Sequence, residues 1–217
     1  MTTLPFSTAA EVDAAIPAVA QHLAAGGLLA HPTETVYGLG SRPVAEDLAA
    51  LARLKGREAG KPFLLLVAGI EMAERFGLQP GGAARALIDR FWPGPLTLVL
   101  PGGAATLPDV LRGPEGGIAV RWTAHAGMAR LIARLEMPLT STSANRPGES
   151  TAPGPGAIAD TFPGPVRQGR LLVLDGGALG QRPPSTVVDC THAAPRLIRE
   201  GAISSRELRA TVESFAP

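Results

Sequence analysis

Short apolar runs decide what this chain can become. FLLLVAG (63–69), TLVLPG (97–102), GIAVRW (117–122), LLVLDGG (171–177), STVVDC (185–190) and RLIRE (196–200) each have strand length, and GLLAHPT and PLTSTSAN (138–145) begin as strands and run into turns. None approaches the roughly 20 apolar residues needed to cross a bilayer. Amphipathic stretches separate them. A helix starts near Thr8, with Thr8 and Glu11 as a capping box and Val12, Ile16, Val19 and Leu23 as its apolar stripe. Pro17 is expected to split or kink it, and Gly26-Gly27 to end it. Further helices are predicted over 44–54, 70–76, 81–91 and 126–136, and a last one from Ser204, with Glu207 completing a second capping box. Strands and helices alternate without strict βαβ regularity. The pattern predicts a single-domain α/β protein over 1–217, with a twisted, mixed sheet and flanking helices.

Totals narrow the function classes. With 217 residues, 45% of them hydrophobic, one compact domain is expected, with two small ones as the weaker option. A net charge of +1 argues against a wholesale nucleic-acid coat, and 4% aromatics against base-stacking platforms. The 26 glycines and 21 prolines fall in short clusters between apolar runs and read as turns and ordered loops. MTTLPFSTAAEVD lacks the basic n-region of a signal peptide. The single cysteine, Cys190, reads as a buried structural thiol, which with the missing leader points to the cytoplasm and no membrane. The 4 histidines show no metal-ligand spacing.

Several blocks concentrate polar chemistry. KGREAGKP (55–62) resembles a phosphate loop with the wrong spacing: only 3 residues separate Gly56 from Gly60, and Pro62 follows Lys61. Arg53, Lys55, Arg57 and Lys61 therefore either complement a helix C-terminus as solvated charges or, anchored to the strand behind Pro62, converge on a ligand. HPTETVYGLG (31–40) sets the hydroxyls of Thr33, Thr35 and Tyr37 at a strand end, to grip a small polar ligand or only to satisfy a turn; Gly38 and Gly40 allow close backbone approach. STSAN (141–145) places Ser141, Ser143 and Asn145 at another strand end, where ligands of open α/β sheets commonly sit. No GxSxG occurs. Arg121 and Arg199 each end an apolar strand and require an anion or several acceptors. WPGPLTLVL (92–100) reads as architectural, with Trp92 packing and Pro93, Gly94 and Pro95 setting the strand entry.

In this order, HPTETVYGLG, KGR with KP, WPGPLTLVL, AVR, STSAN, PSTVVD and LIREG resemble the YrdC-like family over about residues 10–205. The similarity is to its short, single-domain threonylcarbamoyl-AMP synthases, without the C-terminal domain of longer members. It implies an open sheet with a large concave basic cavity. The implied reaction joins L-threonine, bicarbonate and ATP into threonylcarbamoyl-AMP and pyrophosphate, with Mg²⁺ accompanying ATP. A downstream transferase complex would carry the group to tRNA, which this chain would meet only indirectly. By resemblance, Lys55 and Arg57 are catalytic. ATP would be held by these two with Lys61, Ser143, Asn145, Ser150 and Arg199, and threonine by Thr33, Thr35, Arg121, Ser141 and Ser185, with Tyr37 a further wall candidate. Side-chain cations, rather than a nest of backbone amides, would then hold the phosphates. The chain departs from the family pattern at His31, where many members have an aromatic; at Glu200, which replaces a common proline; and near Leu66, where some carry a histidine. Alternative readings are a non-catalytic RNA-binding module, opposed by the charge balance, and a carbamoyl-adenylate enzyme of hydrogenase maturation, opposed by the lone cysteine.

Overall fold

A computed structural model describes residues 2–56, 62–180, 182–212 and 215–216. Its strands are β1 (Thr3–Pro5), β2 (Leu28–His31), β3 (Gly38–Gly40), β4 (Leu64–Val67), β5 (Leu96–Leu100), β6 (Ile118–Trp122), β7 (Leu139–Ser143), β8 (Leu171–Asp175), β9 (Thr186–Asp189) and β10 (Arg196–Arg199). They form one open mixed sheet in the order β1-β8-β2-β3-β7-β4-β6-β5-β9-β10. The helices are α1 (Ala9–Ala24), α2 (Ala45–Lys55), α3 (Ile70–Arg75), α4 (Gly82–Phe91), α5 (Ala126–Leu135), α6 (Pro155–Thr161), α7 (Pro163–Arg167) and α8 (Ser205–Thr211). The apolar runs named from sequence supply the buried core, with Leu65, Leu66, Leu98, Val120, Leu172 and Val188 inside it.

Local chemistry explains the ends of α1. Thr8 Oγ1 accepts from Glu11 N at 3.2 Å, and Thr8 N donates to Glu11 Oε2 at 2.9 Å, closing the expected capping box. At the other end Gly26 N donates to Leu23 O and Gly27 N to His22 O, both at 2.9 Å, with Gly26 at φ 78°. This is a Schellman stop, and the positive φ requires a residue like glycine. Pro17 does not split the helix, which is continuous through it. Pro17 lies on the exposed side, where water can take the carbonyl it leaves without a donor. The second capping box, at Ser204 and Glu207, is also present.

β3 was not apparent in the sequence, and it joins the two parts of the sheet. It pairs antiparallel with β2 on one side and β7 on the other. A Cβ on Gly40 would stand 2.3 Å from the Thr140 carbonyl oxygen, and one on Gly38 would stand 2.7 Å from both the His31 ring and Ser141 Oγ. Leu39 between them is fully buried. Just beyond, Ser41 N donates to Thr140 Oγ1 at 2.8 Å and Thr140 Oγ1 donates to Ser41 O at 3.0 Å. The turn after β2 is thereby held beside the end of β7.

Gly40→Ala is expected to lower unfolding stability by about 1–3 kcal/mol, because backbone must move to admit the methyl. Gly156→Ala, facing open space, should stay within about 0.5 kcal/mol of the parent. Chemical denaturation midpoints of the two variants test this; equal midpoints would contradict the close-approach account of β3.

Candidate active site

Turn 32–37 forms one wall. Thr33 Oγ1 accepts from Thr35 N and Val36 N, both at 3.2 Å, and donates to Val36 O at 2.7 Å. The Thr33 and Thr35 hydroxyls also share a hydrogen at 3.0 Å. Thr35 Oγ1 in turn accepts from Arg121 Nη1 at 3.4 Å. A chain of hydrogen bonds therefore runs from the guanidinium into the turn. Tyr37 is buried instead of lining the cleft: its hydroxyl donates to Gly177 O at 2.8 Å and accepts from Gly176 N at 3.1 Å, pinning the loop after β8.

Arg121 is the strongest polar anomaly. It is 3% exposed, near the end of β6. Burial lowers its pKa; the Glu34 charge opposes that shift, and Arg199 adds to it. Its Nε has no hydrogen-bond partner, and the nearest carboxylate oxygen, Glu34 Oε1, is 3.9 Å away and is itself unpartnered. Thr123 Oγ1 donates to the other Glu34 oxygen and holds the carboxylate back. A guanidinium has five N–H donors, so Arg121 retains capacity for an anion in the cleft it lines.

That cleft, of about 320 Å³, is bounded by Thr33, Thr35, Arg121, Ser141, Ser143 and Ser185, with Arg199 at its side. Ser185 Oγ shares a hydrogen with Thr97 Oγ1 at 2.9 Å, and Arg199 Nη2 donates to Ser185 O at 2.8 Å. Seven of the residues named from sequence thus converge at the ends of β2, β6, β7, β9 and β10. Thr97 and Glu34 were not singled out by the sequence. Thr97 opens an otherwise apolar strand, and an acid between two threonines in a mostly buried block was the available clue to Glu34.

Lys55 lies beside the same wall and meets it through Ser143. It is 6% exposed. Its ammonium donates to Ser143 O at 2.7 Å, Ser143 Oγ at 3.3 Å, Asn145 O at 2.6 Å and also Asn145 Oδ1. Ser143 Oγ donates to Asn145 Oδ1 at 2.6 Å, and Asn145 Nδ2 donates to Glu149 O at 2.6 Å. An ammonium carries three hydrogens, so four acceptors saturate it, and a phosphate would have to displace some of them. Ser150 is exposed beyond this turn and does not line the cleft. Arg57 and Lys61 lie outside the described residues. Among the described residues, no group of three or more His, Cys, Asp or Glu side chains could hold a metal ion. Among the described residues the cleft walls offer hydroxyls and guanidinium groups but no carboxylate.

Hydroxyls and one buried guanidinium, that of Arg121, gather at the strand ends of an α/β sheet. The comparisons make this specific. The chain belongs to the Sua5/YciO/YrdC family, whose model, described as telomere recombination, matches residues 21–201. It is 40% identical over 186 residues to a threonylcarbamoyl-AMP synthase of Thiobacillus denitrificans, covering 84% of this chain and 95% of that protein. It is 36% identical over 188 residues to one of Pyrococcus abyssi, covering 86% of this chain but only 54% of that protein. The structure of P. abyssi Sua5 complexed with L-threonine superposes with a TM-score of 0.88 at 31% identity, over 99% of this chain and 62% of that one.

Two outcomes test the buried charges. Glu34→Gln removes the carboxylate charge facing Arg121, and a loss of about 2–3 kcal/mol is expected. The double variant Glu34→Gln, Arg121→Met should recover most of it, and a thermodynamic cycle with no recovery would contradict the pairing. His31, under β3, is fully buried, and desolvation takes its pKa from 6.5 down to about 4. The unfolded chain takes up this proton near pH 6.5 and the fold only near pH 4. The contribution is therefore complete above pH 6.5 and falls by roughly 3 kcal/mol as the pH drops through that window. Denaturant titrations at stepped pH should show this acid limb, flattened in His31→Phe.

Proposed function

We propose that this chain is a threonylcarbamoyl-AMP synthase that makes the adenylate and pyrophosphate from L-threonine, bicarbonate and ATP. One observation carries the reading: a guanidinium buried at the end of β6, its Nε without a hydrogen-bond partner, lines a hydroxyl-rich cleft large enough for an amino acid. A carboxylate is an anion that a planar guanidinium fork pairs with in bidentate fashion. The superposition on a threonine-bound relative supports the same substrate.

In this reading Arg121 takes the threonine carboxylate, while Thr35, Ser141 and Ser185 line the site around the rest of the molecule. The amine adds to carbon dioxide, derived from bicarbonate, and loses a proton to leave a carbamate. A carbamate oxygen then forms a bond to the α-phosphorus of ATP as the bond to the β-phosphate bridging oxygen breaks, releasing pyrophosphate. No enzyme nucleophile is needed. The protein's task is to bring together two anions that repel each other and to stabilise charge on the leaving group. Ser143, Asn145 and Lys55 stand on the phosphate side. Arg57 and Lys61 follow Lys55 in the chain, after Gly56 turns it at φ 63°. Arg199, at the side of the cleft, serves the nucleotide. Any Mg²⁺ arrives with the nucleotide as part of the substrate. The product would pass to a transferase acting on tRNA. The work would be cytoplasmic, in keeping with a lone buried thiol whose pKa burial pushes up to about 12; among the described residues no helix is long and apolar enough to cross a membrane.

Pyrophosphate release from ATP is expected to require both threonine and bicarbonate, and to drop about 10²–10³-fold in Lys55→Ala. Arg121→Ala should abolish threonine binding in calorimetry. Release independent of threonine, or threonine affinity unchanged without Arg121, would refute the assignment.

A further inference from the structure

The cation cluster 53–61 does not serve one place. Lys55 points into the turn Ser143–Asn145, whereas Arg53, two residues earlier on α2, faces another side of that helix, as that spacing demands. Arg53 lines a second cleft of about 680 Å³. Arg146 and Arg170 line it too, together with the glycine-rich exits of α1 and α7. Among the described residues, no Asp or Glu lines it. The guanidinium groups of Arg53 and Arg170 have no hydrogen-bond or ion-pair partner among the described residues, and both are exposed. Arg146 is oriented: its Nη2 donates to Thr161 O at 3.1 Å, and its guanidinium carbon stands 5.9 Å from the Phe162 ring centroid.

We propose that this cleft is a second anion site that takes a small di- or triphosphate group, either free pyrophosphate or the tail of a nucleotide. Three guanidinium forks without a competing carboxylate match phosphate oxygens. The volume lies in the range of small-molecule sites. Phe162 is 2% exposed, so its ring offers no free face for a base to stack on; the phosphates, and not the base, are what the cleft reads. The cleft adjoins the proposed reaction site. Arg146 directly follows Asn145, an acceptor of the Lys55 ammonium, and Arg53 shares α2 with Lys55.

The test is calorimetric titration of the full chain at low salt with pyrophosphate, tripolyphosphate and ADP. The wild type should show two classes of site. Arg53→Gln with Arg170→Gln should retain one, with affinity for the other reduced at least ~10-fold, as expected for losing two charge-assisted donors. The same variant should keep its circular dichroism spectrum and its threonine-dependent pyrophosphate release. ADP binding as tightly as pyrophosphate identifies a nucleotide tail; pyrophosphate binding tighter identifies the free anion. An unchanged second site in the variant overturns the proposal. So does a cleft that ignores all three probes but binds a single-stranded RNA 20-mer in an Arg53- and Arg170-dependent way, since the occupant would then be a nucleic acid. If threonine-dependent release fails in the wild type while the Arg53- and Arg170-dependent site persists, the synthase reading falls and this one stands.

Discussion

The site depends on a contact that only missing side chains permit. β3 is three residues long, and its two glycines let the His31 ring and the Thr140 carbonyl oxygen come within distances no Cβ would tolerate. Through that strand the sheet runs unbroken from β2 to β7. Turn 32–37 is consequently brought next to Ser141 and Ser143, and the hydroxyl chain from Thr33 through Thr35 reaches Arg121. Residues far apart in the chain share one cleft because two backbones can approach this closely.

Charge is handled differently on the two sides of that cleft. Arg121 is buried with its counter-charge held at 3.9 Å by a threonine hydroxyl, so it is under-satisfied and open to a ligand. Lys55 is buried with its ammonium donating to oxygen atoms of Ser143 and Asn145.

Much of this was legible in the sequence. The apolar runs marked eight of the ten strands, because continuous Leu, Val and Ile stretches have few other fates. Both capping boxes were readable from the spacing of Thr8 with Glu11 and of Ser204 with Glu207. β3 was not, since two of its three residues are glycines, which carry no strand signal. β1 is only three residues long and ends in proline. α6 and α7 begin Pro-Gly and read as loop. At the site, Arg121 was legible as a charge ending an apolar strand, and the serines and threonines followed from the ordered blocks. Glu34, Thr97 and the inward ties of Tyr37 were not, because their meaning lies in partners 88 to 140 residues away. Nor could sequence proximity show that Arg53 and Lys55 diverge.

The ends of the sheet carry a consequence of their own. An open sheet leaves two outer ladders of unpaired amides, a template for adding further chains. At one end stands β1, short and closed by Pro5. At the other, β10 exposes Ile198, but its register slips between Leu197 and Arg199, and arginines bracket the strand. Repulsion and an irregular ladder discourage stacking there. Arg199, which guards that rim, also faces the cleft, so replacing it to probe ligand binding would also remove a safeguard against self-association.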